Sequence, residues 1–346
     1  MPDQVLAAAP AQATDSQAEA LASQFFGLNG RAKLLTGERD LNFHFACSDG
    51  RQFLLKISNP AEDPHVVDFQ NKAMLHIERT DPTLEVQRVF PNLEGGYQIA
   101  VSVNGDTTFL RLFSFVEGIP LAKVRQPTLA IRSALGVSLA RLGIALRGFF
   151  HPAAGHELLW DIKHSLRAAA LIDAIEDPED RALAVRFLEN FEKNAYPSLP
   201  GLRAQVIHND LNFHNVIVDT NHHDHVRNIL DFGDMVHAPL VNDLAVASAY
   251  HLGSESNALS QALPFIAAYN SVLPLERIEQ EILYDLIAAR LVLTVAITNW
   301  RASLYPENRT YIMRNAPVAW QGLRGFSKIS RAQAQDHIAR ICSKEL

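Results

Sequence analysis

VIHNDLNFHNVIVDTNHHDHVRNILDFGD, residues 206–234, is the stretch whose reading decides the fold. It holds two short apolar runs, Val216-Ile217-Val218 and Asn228-Ile229-Leu230, and each adjoins polar groups that would be costly to bury without partners. Asp210 precedes the first run, Asn215 follows five residues on, and Asp231 closes the second run, leading into Phe232-Gly233-Asp234. Phosphoryl transfer needs a hydroxyl aimed in line at phosphorus, a late acceptor for its proton, and a divalent metal to offset charge on the phosphate oxygens. Asp210 is the candidate base. Asn215 can ligate metal without adding negative charge beside that base, and Asp231 supplies a carboxylate of the hard-oxygen kind that suits Mg²⁺. His208 is expected to orient the loop rather than move protons.

A base, a neutral ligand and a charged ligand in this order, with DFG sixteen residues after Asn215, is the layout of a kinase catalytic loop and metal-binding strand. Upstream, Ser48-Asp49-Gly50 between two apolar runs predicts a hairpin whose second strand, Gln52–Ile57, carries Lys56. An unpaired ammonium in a packed strand is costly, and a kinase needs a lysine here for the α/β-phosphates. The preceding turn, residues 36–42, would lie over the phosphates, its backbone helped by Thr36, Arg39 or Asn42; it has one glycine and is not a GxGxxG loop. A helix over residues 66–78 should supply an acid for Lys56, yet Gln70 and Asn71 stand at the expected positions. That leaves a nucleotide-binding protein without turnover as the non-enzymatic alternative. Residues 83–89, 98–103 and 108–116 read as further strands. The last leads to Glu117-Gly118, where backbone near Ser114 to Val116 would meet the nucleotide base. From residue 128 the pattern turns helical, with segments at 128–147, 166–175, 179–194, 243–252, 258–271, 275–301 and 315–325. Strands first and helices later predict an α+β, bilobal fold, with a small antiparallel-sheet N-lobe and a mainly helical C-lobe. Residues 1–16 are a loose tail, 17–116 the nucleotide-binding lobe and 117–346 the catalytic and substrate-binding lobe. The first helix should be capped by Asp15 or Ser16.

The runs His208–Asn215 and Leu230–Asp234, followed by Asn242-Asp243-Leu244-Ala245, resemble the aminoglycoside phosphotransferase and choline kinase-like superfamily. GERDLNFHF, FLLKISNP and DFQNKAMLHI look like its hydroxylysine kinase branch. The resemblance covers the chain from about Leu21. It implies that Asp243 braces the catalytic loop, that ATP or GTP is the phosphoryl donor, and that Asp234 and Glu117 hold a substrate ammonium. It implies a 5-hydroxylysine-like acceptor, with homoserine, choline-like amino alcohols and aminoglycosides as alternatives. Asn209 and Asn212 stand where the family often has Gly and His, which puts the inner-loop contacts to substrate in question. Arg290 interrupts the apolar run AARLVLTVAITNW and needs a carboxylate: an internal one, Asp243 or Asp285, or that of the substrate, gripped by a two-pronged clamp.

A protein acceptor is disfavoured. Ala238-Pro239 follows the DFG glycine by five residues, too few for a phosphorylated activation loop, and Asn209 replaces the arginine that would read the phosphosite. The net charge of −7 and pI near 6.0 favour neither nucleic acid nor an anionic membrane surface. Two cysteines far apart, Cys47 and Cys342, suggest free thiols in a reducing compartment. The first thirty residues lack the pattern of a secretory signal, and Asp285 and Arg290 interrupt the most apolar later segment. A cytoplasmic protein, monomeric or weakly dimeric, is expected. His222, His223 and His225 sit in a polar turn and lack metal-site spacing.

Overall fold

In a computed structural model of the protein, which describes residues 11–35, 37, 39–254 and 257–343, the first third of the chain builds one antiparallel sheet. Helix α1 (Asp15–Phe26) precedes it and is capped by Thr14, one residue before the expected position. Thr14 and Gln17 cap each other reciprocally, satisfying two end groups at once. Strands β1 (Gly30–Leu35), β2 (Leu41–Cys47) and β3 (Gln52–Ile57) form the hairpins, and helix α2 (Pro64–Thr80) follows. Then come β4 (Val89–Phe90), β5 (Ile99–Val103) and β6 (Asp106–Ser114), giving the order β1-β2-β3-β6-β4 with β5 beside β6. Side chains alternate across a sheet. Phe43, Phe45, Phe53 and Leu55 therefore join Ala18, Ala22 and Phe26 of α1 in a small core. Lys56 falls in register with Asn42 and Arg111 on the opposite face.

Residues 83–89, expected to be a strand of this sheet, mostly are not. Only Val89 and Phe90 pair with β6. The backbone before them turns instead to the catalytic stretch, where Ile229 N–H donates to Glu85 O and Gln87 N–H to Ile229 O, both at 2.9 Å. Residues 83 and 84 lie in a turn, and Val86 makes a single bridge to Ile229, more than 140 residues further along.

After β6 the chain crosses through β7 (Ile119–Pro120), which pairs with β9 (Val216–Val218). Helix α3 (Leu129–Ala145) is capped by Thr128, and α4 (Pro178–Asn194) by Asp177 with proline in its first turn. Between them the helix expected over 166–175 is mainly a 3₁₀ segment, Ile162–Ala168, ending in a single α-turn, Ala169–Ile172. Asp161 caps it by accepting from Lys163 N–H, so it starts four residues early. The catalytic stretch supplies β8 (Ala204–Ile207), β9, β10 (Val226–Ile229) and β11 (Val236–Pro239), pairing β8 with β11 and β9 with β10. Helices α5 (Leu240–Ser248), α6 (Leu263–Val272), α7 (Arg277–Leu304), α8 (Ala316–Phe326) and α9 (Arg331–Cys342) complete the fold. At about 1.5 Å per residue α7 is roughly 42 Å long. Almost all of its middle is buried, enclosed by α4, α5, α8 and α9. Gly136 lets α3 lie directly against α6: a Cβ there would meet the Phe265 carbonyl oxygen at 2.3 Å. No helix among the described residues is long and apolar enough to cross a membrane.

Candidate active site

The catalytic loop leaves β8 at Ile207 and is held from beneath by α5. Asp243, buried in the first turn of that helix, accepts from His208 N–H at 3.2 Å and from Asn209 N–H at 2.8 Å. Burial pushes the Asp243 carboxyl up, against the pull of His208 and these amides. Asn209 adopts φ 64°, a left-handed conformation more open to asparagine than to most residues. His208 Nδ1 accepts from Asp210 N–H (3.2 Å) while Nε2 donates to Leu230 O (3.1 Å), tying the loop to the DFG strand. The imidazole is used as a strut.

Asp210 is presented by three donors. Its Oδ2 accepts from Asn215 Nδ2 (2.8 Å) and Asn212 Nδ2 (3.0 Å), and its Oδ1 from Arg290 Nη2 (3.1 Å). Burial pushes this carboxyl up to about 7, with Asp234 and Asp231 adding to the rise and Arg290 opposing it. The carboxylate that Arg290 needs is thus Asp210, not Asp243, which braces the loop, nor Asp285, which pairs with Arg331 at 2.7 Å. Arg290 Nη1 also donates to Trp160 O at 3.0 Å, and its guanidinium lies 4.9 Å over the Trp160 ring.

Across the cleft, Lys56 Nζ stands 3.1 Å from Asp40 and 3.8 Å from Asp231. The acidic partner sought on α2 comes instead from the β1–β2 turn. Asp40 is itself fixed by Asn59 N–H at 2.9 Å. The two α2 amides serve another cation: Arg111 donates to Gln70 at 2.9 Å and to Asn71 at 3.5 Å, and Gln70 passes a bond on to Gly233 O. Burial alone would raise Asp231, but Lys56 and Arg39 outweigh it and hold the carboxyl at about 2. Asp231 has φ 60°, a strained conformation of the kind that clusters at functional sites. Arg39 Nη2 meets Asp234 at 2.7 Å. Gly37 must be glycine, because a Cβ there would lie 2.5 Å from Asp40 O.

These groups surround one cleft of about 610 Å³, lined among others by Arg39, Asn42, Lys56, Asp210, Asn215, Asp231, Asp234 and Arg290. Asn42 Oδ1 is buried in it without a hydrogen-bond partner. Ser114, Val116 and Glu117 sit at the crossing and are not among the lining residues. Ser114 exchanges bonds with Arg88, and exposed Glu117 accepts from Gln52 Nε2 at 2.6 Å. Thr36 lies outside the described residues. Asp40 was the residue to find in GERDLNF. Its signal was an acid two positions before Asn42, which faces Lys56 across β2–β3. Trp160 and Tyr250 also line the cleft and carry no motif.

The donor set fits a hard divalent cation. Asp231 is a carboxylate half-open to the cleft, and Asn215 has committed its amide nitrogen to Asp210, leaving its carbonyl oxygen for other use. Two oxygen ligands completed by phosphates and water are how Mg²⁺ is usually held.

The model of the phosphotransferase enzyme family (APH) matches residues 32–278. The chain belongs to this family. Among curated relatives of this phosphotransferase, hydroxylysine kinase of Mus musculus is 26% identical over 337 residues, covering 90% of this chain and 88% of the other. Two solved structures share the fold. A microcompartment-associated aminopropanol kinase has a TM-score of 0.64 at 20% identity, covering 95% of this chain and 99% of that one. Amicoumacin kinase, solved in complex with AMP-PNP, Ca²⁺ and Ami, has a TM-score of 0.66 at 13% identity, covering 88% and 95%. The phosphotransferase is a small-molecule kinase that phosphorylates a hydroxyl group.

Proposed function

We propose that this kinase phosphorylates the side-chain hydroxyl of an amino acid, of which 5-hydroxylysine is the favoured acceptor, using ATP or GTP with Mg²⁺. The observation that carries the reading is Asp210, held by Asn212, Asn215 and Arg290 across one cleft from the Lys56–Asp40–Asp231 cluster. The curated relatives over nine-tenths of the chain support the acceptor class. Lys56, steadied by Asp40, would hold the α/β-phosphates, and Arg39 with the β1–β2 turn would cover them. Asn215 and Asp231 would hold the metal, which offsets charge on the phosphate oxygens when bound. Asp210 would align the acceptor hydroxyl and take its proton as the oxygen–phosphorus bond forms. Asp234 would receive the ammonium beside that hydroxyl. Glu117, turned to Gln52 and exposed, supports no such role here.

The alternative of a nucleotide-binding protein without turnover rested on Lys56 lacking an acid, and Asp40 removes that ground. The test measures nucleoside diphosphate release with ATP or GTP against hydroxylysine, homoserine, choline and an aminoglycoside. Stimulation by hydroxylysine above the others is expected. Nucleotide binding with no stimulation by any acceptor would sink the proposal.

A further inference from the structure

Apart from Ile312, the aliphatic side chains among the described lining of the cleft are Leu35 of β1, Leu54 of β3, Pro120 of β7 and Leu230 just after β10. Leu54 lies two residues before Lys56 on the same face of its strand, about 7 Å away, and Leu230 immediately precedes Asp231. Phe53 pairs with Ser114, so Leu54 stands between Lys56 and the chain crossing. The cleft thus has an aliphatic region next to its charged one. Ring-shaped ligands are held by walls of this kind, with a few placed polar groups to fix their orientation.

Gln87 is such a group. Its backbone N–H donates to Ile229 O at 2.9 Å, one residue from Leu230. The next residue is clasped at the crossing, where Arg88 N–H donates to Ser114 Oγ at 3.0 Å and Arg88 O accepts from Ser114 N–H at 2.8 Å. Gln87 is therefore fixed between the strand that carries Asp231 and the crossing. It is 4% exposed and lines the cleft, yet its carboxamide makes no hydrogen bond among the described residues. The little surface it keeps includes both the carboxamide oxygen and nitrogen. A buried amide without a partner is costly, and a ligand that pairs with it removes the cost.

We propose that Gln87 reads the nucleobase of the phosphoryl donor, at the 6-position of a purine, an inference that rests on the reading of this cleft as that of a kinase. A carboxamide carries one acceptor and one donor group on the same carbon and can turn end for end. A 6-amino group would donate to Oε1, and a 6-keto oxygen would accept from Nε2. Leu35, Leu54, Pro120 and Leu230 would enclose the ring without distinguishing one purine from another. A purine with hydrogen at that position leaves the buried amide unpaired, the situation in which a polar site rejects an analogue most strongly. Gln87 touches no reacting atom, so its bond acts on donor affinity and not on the rate of transfer.

The experiment uses three triphosphates that differ at the 6-position: ATP with an amino group, inosine triphosphate with a keto group, and purine riboside triphosphate with hydrogen. Calorimetry with Mg²⁺ and no acceptor gives their affinities for the wild type, Gln87→Leu and Gln87→Glu. The wild type should bind the first two within about fivefold of each other and the third about 10- to 50-fold more weakly. Gln87→Leu should bring all three within about threefold, with kcat at saturating nucleotide and the acceptor KM little changed. Gln87→Glu at pH 8, able only to accept, should favour ATP over inosine triphosphate by about tenfold. Equal affinity of the wild type for all three would overturn the assignment while leaving the kinase reading intact. So would a Gln87→Leu protein that keeps the wild-type discrimination, or one that weakens all three equally, which marks a structural role. Should no triphosphate bind, the reading of the cleft as a donor site fails, and the assignment with it.

Discussion

Asp210 and Asp231 are carboxylates about twenty residues apart whose surroundings push them in opposite directions, one up to about 7 and the other down to about 2. That separation is what a proton acceptor and a metal ligand in one cleft require. Asp210→Asn should lower kcat by about 10² to 10⁴-fold, with nucleotide affinity measured by calorimetry little changed. Asp40→Asn should do the reverse. Without its charge Lys56 is drawn to Asp231, so the nucleotide dissociation constant should rise by about tenfold while kcat at saturation changes little. Asp210, Asn215 and Asp231 were legible in the sequence because their spacing along one short stretch is itself the signal. Arg290 was legible as a buried cation needing an acid, yet the choice of acid was not. Its partner lies 80 residues away, and nothing local distinguishes Asp210 from Asp243 or Asp285. Asp40 is harder to read, because a kinase layout places the acid for this lysine on α2 and the pairing forms only when the β1–β2 turn folds over Lys56.

At the scale of elements, α2 departs most from what a kinase layout leads one to expect. Its neutral amides accept from Arg111 and reach Gly233, while Phe69, Ala73, Met74 and Ile77 are part of the large core shared with the C-terminal helices. Asp81, capping its end, holds Arg141 of α3 with bonds of 2.7 to 3.0 Å. The helix is bound to both parts of the molecule, and among the described residues the acids beside Lys56, Asp40 and Asp231, lie elsewhere. Elements with their own caps, such as α3 and α4, were readable to within two or three residues. Residues 83–89 and 162–172 were not, since a backbone's hydrogen-bond partner and the choice between 3₁₀ and α are decided by tertiary contacts. The junction of α3, α5 and α6 carries a pH dependence. Buried His251 accepts from Arg132 Nη1 at 3.2 Å and stacks on Phe265 at 4.3 Å between ring centres. Burial, with Arg132 adding to it, holds its pKa well below 6.5. The folded state therefore keeps it neutral when the unfolded chain takes up a proton. Its contribution is complete above about pH 6.5 and is lost as pH falls, at up to about 1.4 kcal/mol per pH unit. Denaturant unfolding from pH 7.5 to 5 should show this slope in the wild type and a smaller one in His251→Gln.

For the whole molecule, the sheet and the helical part meet along the chain crossing, along the Glu85–Ile229–Gln87 backbone bonds, and through Lys56–Asp231 and Arg39–Asp234 across the cleft. The two-part architecture was legible because strand and helix patterns are segregated along the chain; the backbone and ion-pair seams were not, since each joins residues more than 140 positions apart. The Arg39–Asp234 bond, 2.7 Å long, joins a group assigned here to the donor's phosphates with one assigned to the acceptor's ammonium. A phosphate that draws Arg39 away releases Asp234, and an ammonium that takes Asp234 releases Arg39. Donor and acceptor should therefore bind cooperatively, and thermodynamic reciprocity makes the factor the same in both directions. Calorimetry should find hydroxylysine binding about 5- to 10-fold tighter in the presence of a non-hydrolysable nucleotide. Arg39→Gln should abolish the coupling. Equal acceptor affinity with and without nucleotide in the wild type would refute it. One ion pair would thus tie the affinities of the two substrates together while leaving either free to bind first.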